Sequence, residues 1–570
     1  MASQNNTAMS PWLRTVPLFL AVAGLVWGCQ SVPRPEPRSK QVPVQILSIN
    51  DFHGQVAPGQ KAEGRPVGSA PVLAAYMKKA QQDLGGFTFF ASAGDLIGAS
   101  PPESALLMDE PAIMFMNLLG NDKCSAGDRL NPACNVVATV GNHEFDEKVT
   151  ELQRLIQGGN HPKGPFLENP WQGATFPYVV ANVVAKATGQ PIFPPYVIKD
   201  ADGVPIAFIG AVLKETKTMV MPTNVAGLDF LDEAQTINSY LPELKSKGVR
   251  TVIVLLHQGG RQEAYEGSTR PADEVAGAIK RVVWRLDDEV DVVISGHTHC
   301  FTNALIKNER GKDILVTQSW SAGRGFADIR LQIDRQTRDV ASKSATLITA
   351  WADTGPGLTP DPQAAQLMQA AEQKVAPLTR RKVAIAARDI TKEPNPAGES
   401  ALGNLIADAQ RKTLCTDFAL VNPGGIRTAI GAGEVTWGRL YAVQPFNNRL
   451  VKMTLTGQQI YDLLNQQFPV GLTYHRMLAV SGLTYTWDSK LSPPARIVEV
   501  RQAGKPIDRA ATYTVAVNSF LAEGGDKFSV LTQGANQTMG PLDLEALCAY
   551  LSSLPQPVNA KIEGRVKKLN

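Results

Sequence analysis

The stretch that decides the fold reads Val136-Val137-Ala138-Thr139-Val140, followed by Gly141-Asn142-His143-Glu144-Phe145-Asp146. An apolar, β-branched run that stops at a glycine predicts a buried strand. The residues after the glycine offer an amide, an imidazole and carboxylates, which can bind a metal ion or transfer a proton. The stretch therefore predicts an α/β sheet with a polar site at the carboxyl end of a strand.

Four other apolar runs end in similar residues. They are Val44–Ile49 before Asn50-Asp51-Phe52-His53, Phe87–Phe90 before Gly94-Asp95, Val252–Leu256 before His257, and Val292–Ile294 before Gly296-His297-Thr298-His299. Of the seven histidines in the chain, only His161 and His475 lie outside these five motifs. Each motif alone is also typical of an ordinary turn. Because ligands of open α/β sheets collect beyond the carboxyl ends of strands, the five together predict one shared metal site.

In their order, Asp-x-His, Gly-Asp, Gly-Asn-His-Glu, His and Gly-His-x-His, the motifs resemble the calcineurin-like metallophosphoesterases, and within them the bacterial and animal 5′-nucleotidases. The resemblance covers residues 44–300 and implies two divalent ions, Zn²⁺, Mn²⁺ or a similar metal. It implies that Asp95 bridges both ions. It further implies Asp51, His53 and His299 as the other ligands of one site and Asn142, His257 and His297 as those of the second. Carboxylate, imidazole and amide ligands without thiolates suit such ions.

The same resemblance implies a catalytic pair in His143 and Asp146. The histidine stays off the metals, is held by the aspartate, and stabilises the phosphoryl oxygens or protonates the leaving oxygen. Read without the resemblance, Asp146 is a carboxylate near the start of a helix. Its presence favours nucleotidases over the cyclic-phosphate diesterases of the same group.

Three polar motifs in the second half of the chain resemble the substrate-binding motifs of 5′-nucleotidases. They are Asn422-Pro423-Gly424-Gly425-Ile426-Arg427, Gln444-Pro445-Phe446-Asn447-Asn448 and the run from Asn518-Ser519-Phe520 to Gly524-Gly525-Asp526. The resemblance implies that Phe446 and Phe520 sandwich a base, that Arg427 binds a phosphate oxygen, and that Asn422 and Asp526 bind ribose hydroxyls. The alternative for each is a Gly-rich turn, a core phenylalanine or a surface charge.

One position departs from the pattern. Several relatives carry an extra substrate-binding arginine where this chain has Gly398. Either the phosphate is held less strongly or another residue, such as Arg388, replaces that arginine.

The fold class expected is α/β: a layered αββα metallophosphoesterase sandwich over residues 43–350, followed by a second, α+β substrate-binding domain over residues 380–570. Residues 351–379 are expected to form a linker with a helix at Pro362–Val375 that Pro377 ends. The second domain is expected to contain a helix near Ser400–Leu414 and strands near Phe418–Val421 and Tyr513–Val517. A base site on one domain and metals on the other predict closure by interdomain rotation.

Residues 1–29 resemble a signal peptide with a lipobox, because Arg14 precedes the apolar run Val16–Val26 and Cys29 follows. This predicts a lipid anchor on Cys29 and a Pro-rich tether over residues 30–42. An ordinary cleaved signal peptide and an uncleaved anchor are the alternatives. Export to the bacterial cell envelope, as a periplasmic or lipid-anchored protein, also predicts a disulfide between Cys124 and Cys134, which share one polar loop.

Composition excludes one class of partner. With 56 Lys and Arg against 53 Asp and Glu, the formal charge is +3, which is too small for a binder of nucleic acid polymers. No protein partner is predicted. The sequence thus favours an exported hydrolase of nucleoside 5′-monophosphates that also cleaves nucleotide sugars. The alternatives are a 2′,3′-cyclic-nucleotide phosphodiesterase with 3′-nucleotidase activity, a more distant thiosulfohydrolase, and a non-catalytic lipid-anchored binding protein.

Overall fold

The apolar runs of the first domain form strands, as their alternation with helical segments predicts. The computed structural model describes residues 39–84, 86–469 and 475–570, so the predicted leader, Cys29 and most of the tether lie outside the described residues. Up to residue 379 the strands are β1 Gln41–Ile49, β2 Gln60–Ala62, β3 Arg65–Val67, β4 Phe87–Ser92, β5 Val136–Thr139, β6 Tyr178–Val179, β7 Val183–Ala185, β8 Tyr196–Ala201, β9 Val204–Val212, β10 Leu228–Phe230, β11 Thr251–His257, β12 Gly267–Ser268, β13 Val292–Ser295, β14 Phe301–Lys307, β15 Asp313–Ser319, β16 Gly325–Asp334 and β17 Val340–Thr349. The helices are α1 Ala70–Leu84, α2 Pro102–Ala105, α3 Glu110–Leu119, α4 Val149–Gln157, α5 Glu233–Ser246, α6 Ile279–Trp284 and α7 Pro362–Thr379.

Two sheets lie face to face in this domain. One has the strand order β12-β17-β16-β1-β4-β5-β6 and the other β14-β15-β13-β11-β9-β8. Residues such as Ile46, Phe89, Phe208 and Ile253 fill the core between them. Separate apolar clusters pack α1, α3 and α4 against the outer face of the first sheet, and α5 and α6 against that of the second. The expected αββα sandwich is therefore confirmed.

Strand pairing explains why the predicted motifs meet. In the first sheet β1, β4 and β5 run parallel, with Val44 opposite Phe87 and Phe90 opposite Val136. In the second sheet β11 and β13 run parallel, with Ile253 opposite Val292. Parallel neighbours end at the same edge of a sheet, so all five motifs follow carboxyl ends that face one region.

The C-terminal domain combines strands and helices, as expected for α+β. Its strands are β18 Lys382–Ala386, β19 Phe418–Val421, β20 Gly433–Thr436, β21 Arg449–Thr456, β22 Ala479–Ser481, β23 Thr484–Asp488, β24 Ile497–Gln502, β25 Lys505–Pro506, β26 Thr512–Asn518, β27 Ala535–Leu542 and β28 Val566–Leu569. Its helices are α8 Ala401–Leu414, α9 Trp437–Val443, α10 Gly457–Asn465, α11 Ser519–Ala522 and α12 Asp543–Ser553. A five-stranded sheet of order β22-β19-β26-β21-β27 and a four-stranded sheet of order β25-β24-β23-β28 form its framework.

Two element boundaries differ from the sequence-based expectation. Strand β1 begins at Gln41, inside the segment expected to be a tether, because Gln41 and Val42 pair with Asp334 and Ile333 of β16. Helix α7 passes through Pro377 and ends at Thr379, so the prediction that this proline stops the helix is wrong. A proline in the last turn removes one N–H but leaves later ones, and the Arg380 N–H still donates to the Ala376 carbonyl.

Cys124 and Cys134 form the predicted disulfide. The other cysteines among the described residues, Cys300, Cys415 and Cys548, are free thiols. Within the described part of the chain, no helix is both long enough and apolar enough to cross a membrane.

Candidate active site

The predicted metal ligands lie together at the carboxyl ends of the strands. Three groups of side chains have their ligand atoms within 4.8 Å of one another: Asp51 with His53 and His299, His53 with Asp95 and His143, and Asp95 with His257 and His297. Asn142 joins the last group, because its Oδ1 lies 3.0 Å from Nδ1 of His297. The structure thus brings together all seven predicted ligands, with Asp95 shared between two groups.

Hydrogen bonds orient two of the histidines for metal binding. Nδ1 of His53 contacts the carbonyl of Gly98 at 2.8 Å, and Nδ1 of His257 contacts that of Ala93 at 2.8 Å. Each bond leaves Nε2 facing the centre of the site, and Nε2 of His257 is buried beside Oδ2 of Asp95. A histidine anchored through one ring nitrogen presents the other to a metal. This donor set fits divalent ions.

The carboxylates sit close to these imidazoles. Oδ2 of Asp95 lies 3.1 Å from Nε2 of His257, and Oδ1 of Asp51 lies 3.2 Å from Nε2 of His299. Burial alone would raise the pKa of Asp51, but the charges of His299 and His257 lower it to about 2. Asp51 is therefore ionised at neutral pH, as a metal ligand must be.

Backbone strain is concentrated in this centre. Five of the predicted ligands have positive φ, between 49° and 78°, namely Asp51, His53, Asp95, His297 and His299. Residues other than glycine seldom adopt this conformation, and when several do so within one site the strain points to function. Close packing adds a further constraint, because a Cβ on Gly141 would lie 2.2 Å from Oδ1 of Asp95.

His143 and Asp146 form the expected pair. Nδ1 of His143 lies 2.7 Å from Oδ2 of Asp146, on the short helix His143–Phe145 and its C-cap. Burial lowers the pKa of His143, but the charges of Asp146 and Asp95 and the hydrogen bond to Asp146 together raise it above the ordinary value. The pair therefore favours a protonated imidazole beside the metal ligands.

One large cavity, of about 1070 Å³, joins this centre to the C-terminal domain. The predicted site residues that line it are His143, Asp146, His297, Asn422, Arg427, Phe446, Phe520 and Asp526. Nη2 of Arg427 lies 3.4 Å from Nε2 of His53, and the ring of Phe446 stacks on that of His143 with centroids 5.8 Å apart. The five predicted substrate-binding residues thus share a cavity with the predicted metal ligand His297 and with His143 and Asp146.

The chain matches two family descriptions, "Calcineurin-like phosphoesterase" over residues 44–301 and "5'-nucleotidase, C-terminal domain" over residues 374–533. It is 33% identical to cell wall protein Lmo0130 of Listeria monocytogenes, over 96% of this chain and 72% of that protein. The chain belongs to the 5′-nucleotidase family of metallophosphoesterases. It is a metal-dependent phosphoester hydrolase.

Other members of the 5′-nucleotidase family differ in length and name. The chain is 34% identical to endonuclease YhcR of Bacillus subtilis, over 99% of this chain, yet it spans only 44% of that protein. It is 26% identical to a 5′-nucleotidase of Vibrio cholerae, over 94% of this chain and 95% of that one. Among solved structures, a 5′-nucleotidase precursor from Thermus thermophilus aligns with a TM-score of 0.75 at 28% identity, over 93% of this chain and 99% of that one.

Sequence reasoning assigned no role to several residues of this family's site. Both carboxylate oxygens of Glu144 accept backbone N–H groups, those of Gly141, Asp95 and Leu96, and so join two ligand-bearing loops. The sequence did contain a signal for this role of Glu144, because Glu144 is the one carboxylate inside the Gly-Asn-His-Glu motif. His161 also lines the cavity, although it lies in no motif and nothing in its neighbours pointed to the site.

Proposed function

We propose that the protein removes phosphate from nucleoside 5′-monophosphates with two bound divalent ions. The observation that carries this proposal is the placement of Arg427 and Phe446, from the C-terminal domain, directly against His53 and His143. A guanidinium suits a phosphate, and an aromatic ring suits a base. A nucleotide held by these groups would have its phosphate at the predicted metal ligands.

The predicted metal ligands would hold the ions through Asp51, His53, Asp95 and His299 on one side, and Asp95, Asn142, His257 and His297 on the other. When bound, such ions polarise a phosphoryl group and lower the pKa of water at the site.

His143 and Asp146 would serve the leaving group. Water adds to phosphorus as the bond between phosphorus and the ribose 5′ oxygen breaks, and His143 donates its proton to that oxygen. The products are a nucleoside and inorganic phosphate. Asp146 keeps the imidazole protonated and correctly turned through its 2.7 Å contact.

Phe446 and Phe520 would hold the base, and Asn422 and Asp526 the ribose. Nδ2 of Asn422 donates to Oδ2 of Asp526 at 3.1 Å, so the two residues already form one polar group. In this structure Phe446 stacks on His143, and Phe520 packs over Gly525.

Nucleotide sugars are a second candidate substrate class. The cavity volume of about 1070 Å³ exceeds the usual range of about 300–1,000 Å³ for small-molecule sites. The cavity is also lined by polar residues outside the predicted nucleotide-binding set, including His161, Lys163 and Lys374. That space supports a substrate with a second group beyond the phosphate.

Chromatography of the products tests the proposal, because AMP gives adenosine and phosphate, UDP-glucose gives UMP and glucose 1-phosphate, and a 2′,3′-cyclic nucleotide gives a nucleoside monophosphate. Metal-stripped protein is supplied with Mn²⁺ or Zn²⁺ and assayed with AMP, UDP-glucose and a 2′,3′-cyclic nucleotide in parallel, with His143→Ala as the control variant. Metal-dependent release of phosphate from AMP that the variant lacks supports the proposal. Cleavage of the cyclic nucleotide alone supports the diesterase alternative. No cleavage of any of the three substrates rejects a nucleotidase.

We further propose that the protein is exported to the cell envelope and carries a lipid on Cys29. The Cys124–Cys134 disulfide supports export, because such bonds persist in oxidising compartments. The name of the Listeria relative, a cell wall protein, agrees with this location. Fractionation tests the anchor: Cys29→Ser should move the protein from the membrane fraction to the soluble envelope fraction, and an unchanged distribution argues against lipidation.

A further inference from the structure

Gly398, where several relatives carry an arginine, has no room for a side chain in this protein. Its φ is +99°, a region that L-residues avoid. A Cβ built there would lie 2.7 Å from Cγ and 2.9 Å from Cβ of Met477. An arginine at this position would therefore strain the backbone and displace Met477.

The neighbour of Met477, Arg476, reaches the predicted ribose site instead. Its side chain is only 12% exposed. Nη1 donates to the backbone carbonyl of Asp526 at 2.9 Å, and Nε lies 3.8 Å from Oδ1 of Asp526. The guanidinium thus contacts both the main chain and the carboxylate of one residue. Neither Arg388 nor Arg476 is among the described residues that line the cavity, but Arg388, the alternative from sequence, donates to Asn559, whereas Arg476 contacts the cavity residue Asp526.

Asp526 is a residue whose conformation needs external support. Its φ is +56°, and its neighbours Gly524 and Lys527 also have positive φ, +86° and +68°. Consecutive left-handed residues other than glycine are unfavourable unless the surroundings fix them. The Arg476 bond to the Asp526 carbonyl supplies such a constraint from a distant segment of the chain, just before β22.

The carboxylate of Asp526 is held from two sides. Oδ2 accepts from Nδ2 of Asn422 at 3.1 Å, and Oδ1 of Asn422 accepts from Nδ2 of Asn518 at 3.0 Å. Arg476 approaches the other oxygen, Oδ1. Asp526 and Asn422 line the cavity, so their remaining acceptor positions can receive hydroxyl donors from a ligand.

We propose that Arg476 is a positioning residue that holds Asp526 for binding of the substrate's ribose hydroxyls. This inference rests on the proposed nucleotidase function and deepens it. Arg476 acts through Asp526, whose main-chain carbonyl and carboxylate it contacts. Its loss should weaken substrate binding where the substrate has ribose hydroxyls, and leave the phosphoryl chemistry intact.

The test compares wild type, Arg476→Ala and Arg476→Lys on three phosphate esters: AMP, 2′,3′-dideoxy-AMP and 4-nitrophenyl phosphate. The matched control is Arg501→Ala, which removes an exposed arginine that pairs with Glu499 in the same domain. We expect Arg476→Ala to raise KM for AMP about tenfold with kcat changed less than about twofold. KM for the two esters without ribose hydroxyls should stay unchanged, and Arg476→Lys should recover part of the loss.

The outcomes separate this inference from the proposed function. An unchanged KM for AMP in Arg476→Ala overturns the inference alone, as does an equal loss on all three esters, which would mark a merely structural role. Wild-type protein that cleaves 4-nitrophenyl phosphate but not AMP overturns the proposed function, and the inference with it. If Arg476→Ala does not fold, the KM values of Arg476→Lys for the same three esters are compared with those of wild type in the same way.

Discussion

At the residue scale, the site depends on histidines that are oriented by a hydrogen bond at one ring nitrogen. His53 and His257 are turned by backbone carbonyls, and His143 by the carboxylate of Asp146. Each anchored ring has one nitrogen left for a metal or a substrate. A substitution that removes the group orienting a histidine should therefore have different consequences from one that removes a metal ligand.

Asp146→Asn tests this distinction. The amide keeps the size of the side chain but removes the charge that raises the pKa of His143, so the imidazole loses its proton more easily. We expect kcat for AMP to fall about 100-fold with metal content unchanged, because Asp146 is not a predicted ligand. Steady-state kinetics and metal analysis check both statements. Asp353→Asn, at an exposed ion pair with Arg65, is the control, and loss of metal from Asp146→Asn would contradict the assignment.

Phe520→Ala tests the base clamp. Removing the ring deletes a stacking surface worth about 1–3 kcal/mol per base, so KM for AMP should rise roughly tenfold. Ribose 5-phosphate has no base, and its KM should not change. The control is Phe87→Ala, which truncates a ring that is 41% exposed on β4. Equal effects on both substrates would show that Phe520 supports the fold and not the base.

At the element scale, the second sheet contains an unusual buried charge. Lys199 on β8 is fully buried, and its Nζ donates to the carbonyl of Asn131 at 3.1 Å, in the loop that the Cys124–Cys134 disulfide closes. Burial lowers the pKa of Lys199 to about 8, and the charge of Asp128 opposes this only in part. The lysine ties an edge strand to that loop at the cost of desolvating an ammonium group.

The pH dependence of stability follows from this shift. Between the folded pKa of about 8 and the unfolded value of 10.5, the unfolded chain binds more protons, so this group makes stability rise with pH. We expect Lys199→Met to raise the free energy of unfolding by about 1–2 kcal/mol near neutral pH, and the gain to shrink toward about pH 10. Urea unfolding at both pH values measures it. Lys61→Met, at an exposed lysine, should show no such trend, and a gain independent of pH would refute the explanation.

At the scale of the whole molecule, the two domains meet at the metal centre. The 3.4 Å between Nη2 of Arg427 and Nε2 of His53 leaves no space for a phosphoryl group between the guanidinium and the metal ligands. Phe446 likewise rests on His143. Substrate binding therefore requires the side chains of Arg427 and Phe446 to move, by rotation of the side chains or of their domain.

We expect a nucleotide analogue to change the relative orientation of the domains. Small-angle scattering of metal-loaded protein, with and without a non-hydrolysable AMP analogue, should give different distance distributions. Inorganic phosphate, which lacks a base, serves as the comparison ligand. Identical curves in all three states would count against interdomain rotation.

Sequence by itself predicted the α/β sheet architecture and placed the candidate metal ligands directly after the strands, because strand periodicity and the residues that follow each strand are local properties. That these residues bind metal stays a prediction. It also predicted α8, which begins after Ser400 as expected. Only the tertiary structure decided that Arg476 supports Asp526, that Glu144 joins two ligand loops, and that His161 lines the cavity. These contacts connect residues that are far apart in the chain or that lie outside any sequence motif. They arise from tertiary packing, which a local sequence pattern does not predict.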